Sequence, residues 1–426
     1  MALAAPQSTA SVSSVSASAG APRYGSALAS LTVLFFMMGF ITCLNDILIP
    51  YLKAIFQLTY TQANLINLCF FGAYFFASLP AGKLVERVGY KRGMLLGFLI
   101  AAAGCFLFYP AADSRTYPLF LGALFVLATG VVLLQVAGNP YVSILGRPES
   151  ASARLTLTQA FNSLGTFLAP QVGTALILSR LPKEITNVAA IDVTAVQLPY
   201  LVIGGVLVLI SLVLSQLRLP AIEHAPLDAT DAAGLARAWH YRHLAFGVAA
   251  IFAYVGAGVA IGSHIVSYLA QPGVMGLSTE AAGYQVKYYW GAAMVGRFLG
   301  TYLLGRIQPG RLLAMNALGS VVLVAISAAT RGEVAMWSLL AIGLMNSLMF
   351  PTIFTLAVAG LGRLTEEASG LLCTAIVGGA LVPVAFGAIA DNVSLRMAFI
   401  LPVLCYAFIA WYGLNGSRRA VARAAA

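Results

Sequence analysis

The sequence predicts an all-α integral membrane protein of twelve transmembrane helices in two pseudo-symmetric six-helix bundles. Three observations carry that expectation. The chain is 60% hydrophobic and 9% charged, with a mean hydropathy of +0.89, whereas soluble domains carry roughly 25% charged residues. A search for stretches of about 20 apolar residues, the length that crosses hydrocarbon as a helix, finds twelve. The longest polar interruption, RLPAIEHAPLDATDAAGLARAWHYRH at 218–243, separates the sixth from the seventh.

Residues 1–25 are Ala/Ser-rich and lack a basic start leading into a short apolar core, so they read as a disordered cytoplasmic tail rather than a cleaved signal peptide. The first bundle occupies 26–217, with spans near 27–52, 60–80, 93–110, 118–141, 155–178 and 198–217. Residues 218–243 form a cytoplasmic linker. The second bundle occupies 244–414, with spans near 244–269, 281–304, 312–330, 334–358, 369–390 and 395–414, and a short cytoplasmic tail covers 415–426.

The net charge of +10 raises the possibility of a nucleic-acid partner, but its distribution argues against one. With the N-terminus inside, most Lys and Arg residues fall in inner loops, a few (Lys53, Arg115, Arg180, Lys183, Arg331, Arg396) lie outside, and Lys287 and Arg297 lie within helices. That is the positive-inside pattern of a membrane protein with both termini in the cytoplasm. Cys43, Cys69, Cys105, Cys373 and Cys405 all sit in apolar spans without paired or CxxC spacing. They read as packing residues, and no metal or organic cofactor is expected.

The two bundles repeat each other in their inner loops. GKLVERVGYKR (82–92) after helix 2 matches GTYLLGRIQPGR (300–311) after helix 8, and ILGRPESASARL (144–155) after helix 4 matches GLGRLTEEASGL (360–371) after helix 10. Arg147 and Arg363 are 216 residues apart and Arg87 and Arg306 are 219 apart, so two independent matches share nearly one offset. Parallel repeats of this kind mark a large class of transporters. Glu86 can pair with Arg87 or Arg92, and Arg147, Arg306 and Arg363 can sit against helix C-termini. These clusters read either as conformational latches or as simple obedience to the positive-inside rule.

Twelve spans, a 6+6 repeat and GxxxERxGxKR between helices 2 and 3 resemble the major facilitator superfamily over essentially the whole chain. More narrowly, FFMMGFITCLNDILIPYL, LLQVAGNPYV, LTQAFNSLGT, YVGAGVAIGSHIVSYL, VGRFLGTYLL and MFPTIFTLAVAGLG are similar to the fucose-proton symporter family, on the side of its glucose/galactose and N-acetylglucosamine permeases. The resemblance implies a carboxylate in helix 1 linked to sugar transport, matched by Asp46, and amides in helix 5, matched by Gln159 and Asn162. It also implies a second carboxylate in helix 4, where this sequence has Gln135.

Of the 14 acidic residues only Asp46 is deep in a span, while Glu366 and Glu367 fall in an inner loop. Burial raises the proton affinity of a carboxylate, so Asp46 reads as an ion carrier, or as a structural carboxylate held by helix 4 or Lys287. Gln135 and Asn139 share one face of helix 4, and Gln159 and Asn162 one face of helix 5. Such amides suit the many hydroxyls of a sugar, or act as interhelical glue. In the second half Lys287 either snorkels outward or pairs with Asp46. Trp290 either stacks on a sugar or anchors at the interface, and His264 is a substrate partner or a satisfied core histidine. Arg297 is expected to pair with backbone carbonyls or a latch.

The expected function is uptake of a hexose (glucose, galactose, mannose or N-acetylglucosamine) by cation-coupled symport, with alternating access, as a monomer in a bacterial inner membrane. Asp46 carries a proton alone, or Asp46, Asn45 and Gln135 together coordinate sodium; the proton is put ahead because it needs only one carboxylate. GTFLAPQVG (165–173) loosely resembles the motif of drug/proton antiporters, the alternative of the same fold. No nucleophile-base pair or metal spacing points to an enzyme.

Overall fold

The computed structural model describes residues 24–56, 60–176, 194–217, 219–220 and 241–418. Within its helices, the side chains of 24–27, 44–55, 60–65, 67, 170–171, 173–176, 194–195, 279–280 and 363 lie outside the described residues. Residues 1–23 of the expected tail at 1–25, and most of the linker at 218–243 and of the tail at 415–426, also lie outside them, while Tyr24 and Gly25 already belong to the first helix.

The helices are α1 (Tyr24–Phe56), α2 (Tyr60–Val88), α3 (Tyr90–Asp113), α4 (Tyr117–Ile144), α5 (Ala151–Leu176), α6 (Thr194–Gln216), α7 (Arg242–Leu269), α8 (Thr279–Leu304) and α9 (Pro309–Ala329), followed by α10 (Gly332–Val358), α11 (Thr365–Asn392) and α12 (Leu395–Gly416). Nine of them are long and apolar enough among the described residues to cross a membrane; α1, α5 and α8 are not among the nine. The polar side chains of α5 and α8 have a positional reason, because both helices lie where the two halves meet.

The packing repeats as the loops do. In the first half α3 packs on α4 and α6, α2 on α4, and α1 on α5; in the second, α9 packs on α10 and α12, α8 on α10, and α7 on α11. The halves join through α2 with α11 and α5 with α8, which are mates under the same repeat, and through α4 with α11 and α5 with α10. Glycine sets the tightest crossings within each half. A β-carbon on Gly165 would overlap the Phe36 carbonyl of α1, and one on Gly378 would overlap the Phe252 carbonyl of α7. Phe36 and Phe252 are themselves 216 residues apart, so the crossing is duplicated along with the loops. This packing also accounts for Gly165 of the antiporter-like motif: it lets α5 reach the α1 backbone.

Helices α10, α11 and α12 are interrupted. In α10 a helix over Gly332–Asn346 stops and a second over Met349–Val358 begins. The cause is local. Pro351 has no N–H to give to the carbonyl four residues back, which is that of Ser347. Pro140 does the same to Val136 in α4, where the helix stays continuous.

One inner-loop residue differs from expectation. α11 starts at Thr365, so Glu366 lies in its first turn and is only 3% exposed, with Tyr90 of α3 close enough to feel its charge. A carboxylate is favoured at a helix N-terminus, which is why the chain turns helical before the apolar run begins.

The α1–α5 crossing is open to test. Gly165→Ala should lower stability by roughly 1–3 kcal/mol, as overpacking against fixed backbone does, read as a drop of several degrees in thermal denaturation followed by size-exclusion chromatography. Gly205→Ala, where a β-carbon meets nothing within 4 Å, should leave the transition unchanged. Equal behaviour of the two variants would remove the close crossing from the account.

Candidate functional site

The expected amides converge at the junction of α4 and α5, close to α1. Half-buried Gln135 donates from Nε2 to the hydroxyl of Tyr74 on α2, at 2.8 Å. One turn inward, fully buried Asn139 accepts at Oδ1 from Gln159 Nε2, at 3.5 Å. Its own Nδ2 has no partner among the described residues. Asn162 Nδ2 donates to the Phe35 carbonyl at 2.9 Å, so this nitrogen ties α5 to α1 beside the glycine crossing. Asp46 and Asn45 lie in the C-terminal half of α1, with side chains outside the described residues.

In the second half the expected residues are more dispersed. His264 makes a 2.8 Å contact through Nδ1 with the Ala260 carbonyl, and its ring lies against Phe386, centroids 4.6 Å apart, the arrangement of a satisfied core histidine. Lys287 is exposed, its ammonium 5.1 Å from the Tyr288 ring. Trp290 is half-exposed and its edge faces Gly262 of α7. Two residues that sequence reasoning missed stand by the neighbouring Tyr289: buried Asn346 of α10 donates from Nδ2 to the Tyr289 hydroxyl at 3.0 Å, and half-buried Gly258 of α7 lies alongside that amide. Tyr74 and Asn346 were findable as polar atoms inside apolar spans, but the Ser78 hydroxyl at i+4 from Tyr74 is spent on the Tyr74 carbonyl, and Asn346 has no polar residue three or four positions away.

Arg297 is heavily engaged. Its Nε donates to the Ser347 carbonyl at the break in α10, at 3.1 Å, and Nη1 to the Gln159 carbonyl, at 3.3 Å, and to the Ser163 hydroxyl of α5. The Tyr254 hydroxyl of α7 stands against the same guanidinium. A charge inside a span costs at least about 2.5–3.5 kcal/mol on insertion scales, and these partners offset it.

The expected latch residues are spread over one end of the bundle. Glu86, Arg87, Arg92 and Arg147 are exposed, the Arg306 guanidinium lies 4.5 Å from the Tyr302 ring, and the side chain of Arg363 is outside the described residues. Arg154 is what closes α4: it donates to the carbonyls of Val142, Ser143 and Arg147 and to the Ser150 hydroxyl. Across the halves at the same end, the Ser152 and Thr355 hydroxyls are 2.6 Å apart and Ser369 donates to the Val136 carbonyl at 2.9 Å. Gly82 and Gly370 bring the α2 and α11 backbones together there.

The sequence pattern of the Major Facilitator Superfamily matches residues 28–375. The chain belongs to the major facilitator superfamily. It is 55% identical over 397 residues to the glucose/galactose transporter of Brucella abortus, covering 93% of this chain and 95% of that one. It is 47% identical over 402 residues to a putative glucose/galactose transporter of Helicobacter pylori, covering 92% and 97%, and 35% identical over 405 residues to the L-fucose-proton symporter of Escherichia coli, covering 89% and 91%. A crystal structure of the superfamily transporter FucP in the outward conformation superimposes with a TM-score of 0.84 at 34% identity, covering 92% of this chain and 99% of that one. The superfamily and the fucose-proton symporter family expected from the sequence are therefore both borne out. The chain is a multi-pass membrane transporter rather than an enzyme.

The incomplete bonding of Asn139 separates a structural amide from a working one. A buried donor without a partner forfeits about 1–3 kcal/mol, so Asn139→Leu should leave the melting temperature unchanged or raise it while transport is lost. A clear fall in melting temperature with transport retained would make Asn139 interhelical glue.

Proposed function

We propose that this chain takes up a hexose such as glucose or galactose, with mannose and N-acetylglucosamine in the same range, by proton-coupled symport. It does so as a monomer in the bacterial cytoplasmic membrane, with both termini inside. The observation that carries the reading is the group of uncharged amides Gln135, Asn139 and Gln159 at the junction of the helices, with the Tyr74 hydroxyl behind it, in a chain 55% identical to a glucose/galactose transporter. Hydroxyl-rich ligands are recognised by such groups, which both donate and accept. A drug site would be apolar.

Depth supports the proton over sodium. Gly138 of α4 faces Leu34 and Phe35 of α1, where an added β-carbon would lie 3.6 Å from each. From that level Gln135 is three residues outward, about 4.5 Å, and Asp46 is twelve residues outward, about 18 Å. A single hard cation holds its oxygen ligands at about 2.5 Å, so a sodium ion bridging Asp46 and Gln135 is disfavoured. A proton on Asp46 alone needs no such neighbour. In this cycle Asp46 takes the proton near the outer mouth, the sugar settles on the amides below, and only the loaded or empty carrier turns over. Seam contacts gathered at the basic end fit a carrier closed to the cytoplasm and open outward.

The test is uptake of radiolabelled glucose or galactose into proteoliposomes under an imposed pH or sodium gradient, for the parent and Asp46→Asn. The pH gradient should drive accumulation by the parent, and the variant should lose it while retaining counterflow exchange. Accumulation driven by sodium alone, or undiminished in the variant, would overturn the coupling role of Asp46. No uptake of any hexose would overturn the substrate class.

A further inference from the structure

Two helices with an interior proline at the junction, α4 and α10, are mates under the internal repeat, and each has one backbone carbonyl, that of Val136 or Ser347, without its helical donor. Both carbonyls are bonded at the seam. Val136, freed by Pro140, accepts from Ser369 of α11 in the opposite half at 2.9 Å. Ser347, freed by Pro351, accepts from Arg297 Nε at 3.1 Å, and the same guanidinium reaches across to Gln159 and Ser163 of α5. The surroundings fit the second arrangement. Gly296 lets α8 lie directly on Ser347, where a β-carbon would collide with its hydroxyl. The first segment of α10 ends there with the negative pole of its dipole. Two of its other late carbonyls are already used: Leu344 accepts from the Ser347 hydroxyl at 2.6 Å and Met345 from Asn316 at 3.0 Å.

We propose that Ser369 and Arg297 are positioning residues that hold the cytoplasmic seam shut, Ser369 by binding the proline-freed Val136 carbonyl across it and Arg297, anchored on the proline-freed Ser347 carbonyl, by reaching across it to α5. Ser369 fastens α11 to α4 directly. Arg297 fastens the break in α10 to α5 and does so at Gln159, one of the proposed sugar amides, so movement of that residue is transmitted to the break. When the seam opens, water takes over the Val136 carbonyl, and the bonds from Ser369 to Val136 and from Arg297 to α5 are lost together, while Arg297 keeps the Ser347 carbonyl within its own half. The inference rests on the alternating-access reading in treating this end as the one that opens to the cytoplasm.

Hydrogen–deuterium exchange of the purified full chain in lipid nanodiscs, without sugar, tests it. Ser163→Ala and Ser369→Ala each remove one cross-seam hydroxyl and leave the break in α10 with its Arg297 bond. Each should speed exchange about fivefold at the start of α5 and of α11, the size expected when one hydrogen bond is lost from a local opening. The double variant should go further, and α3, α6, α9 and α12 should be unchanged. Arg297→Lys should fall between the parent and Arg297→Gln. Exchange unchanged in the double variant would overturn the proposal. So would a rise spread evenly over all helices, which would mark ordinary destabilisation. Because no sugar enters the measurement, a failure of hexose uptake would leave this result standing.

Discussion

In hydrocarbon there is no water to accept what a helix leaves over, so every backbone carbonyl and N–H must find a partner inside the protein. The architecture of this transporter depends on that constraint. It explains why the chain is helical throughout its described spans, and why two of its proline sites draw a donor from another element. Pro140 and Pro351 each remove one backbone donor from a span. The freed carbonyls do not face lipid; they face Ser369 and Arg297. Arg297 is thereby accounted for from both sides, since a guanidinium needs acceptors at this depth and a broken helix supplies one.

The same constraint governs the amides. Gln135, Asn139, Gln159 and Asn162 would each be expensive against lipid, and all four turn inward where α1, α4 and α5 meet. Their bonds are unequal. Asn162 is committed to the Phe35 backbone, Gln135 to Tyr74, and Gln159 to Asn139 over a long 3.5 Å contact. An apolar packing of the same volume would be simpler if the region were only structural. The incompletely bonded pair is where a ligand with hydroxyls has most to offer.

The spans, the duplicated bundles and the inward-facing amides were legible because each is written in the periodicity or spacing of one segment. The α1–α5 crossing was legible in principle too, since Phe36 and Phe252 keep the loop offset of 216. The partners of Arg297 were not. They belong to α5 and α10, 134 and 50 residues away, and no pattern within α8 names them. The proline four residues beyond Ser347 is the one local clue, and it identifies an acceptor without identifying its donor. The loop arginines are a different case: Arg87, Arg92 and Arg147 are exposed, which agrees with the positive-inside alternative to a latch, and their spacing names no contact. Glu366 was assigned to a loop because hydropathy alone starts the eleventh span late.

A carrier must keep its two end states close in free energy, within the few kcal/mol that ligand binding can shift. The closed seam meets this requirement through opposing terms. It gains the Ser152–Thr355, Ser369–Val136 and Arg297–α5 hydrogen bonds. Against these, Asn139 Nδ2, Thr156 Oγ1 and Thr352 Oγ1 are buried without a partner among the described residues, each at roughly 1–3 kcal/mol. Thr156 shares the α5 face of Ser152, Gln159 and Ser163, Thr352 lies one turn from Thr355, and Asn139 is on α4 with Val136, so all three sit on the same helices that form the bonds. Hydration on opening would satisfy the orphaned groups at the moment the clasping bonds are lost. Filling the seam with apolar side chains would close it more firmly and remove that exchange, leaving a well-packed protein fixed in one state.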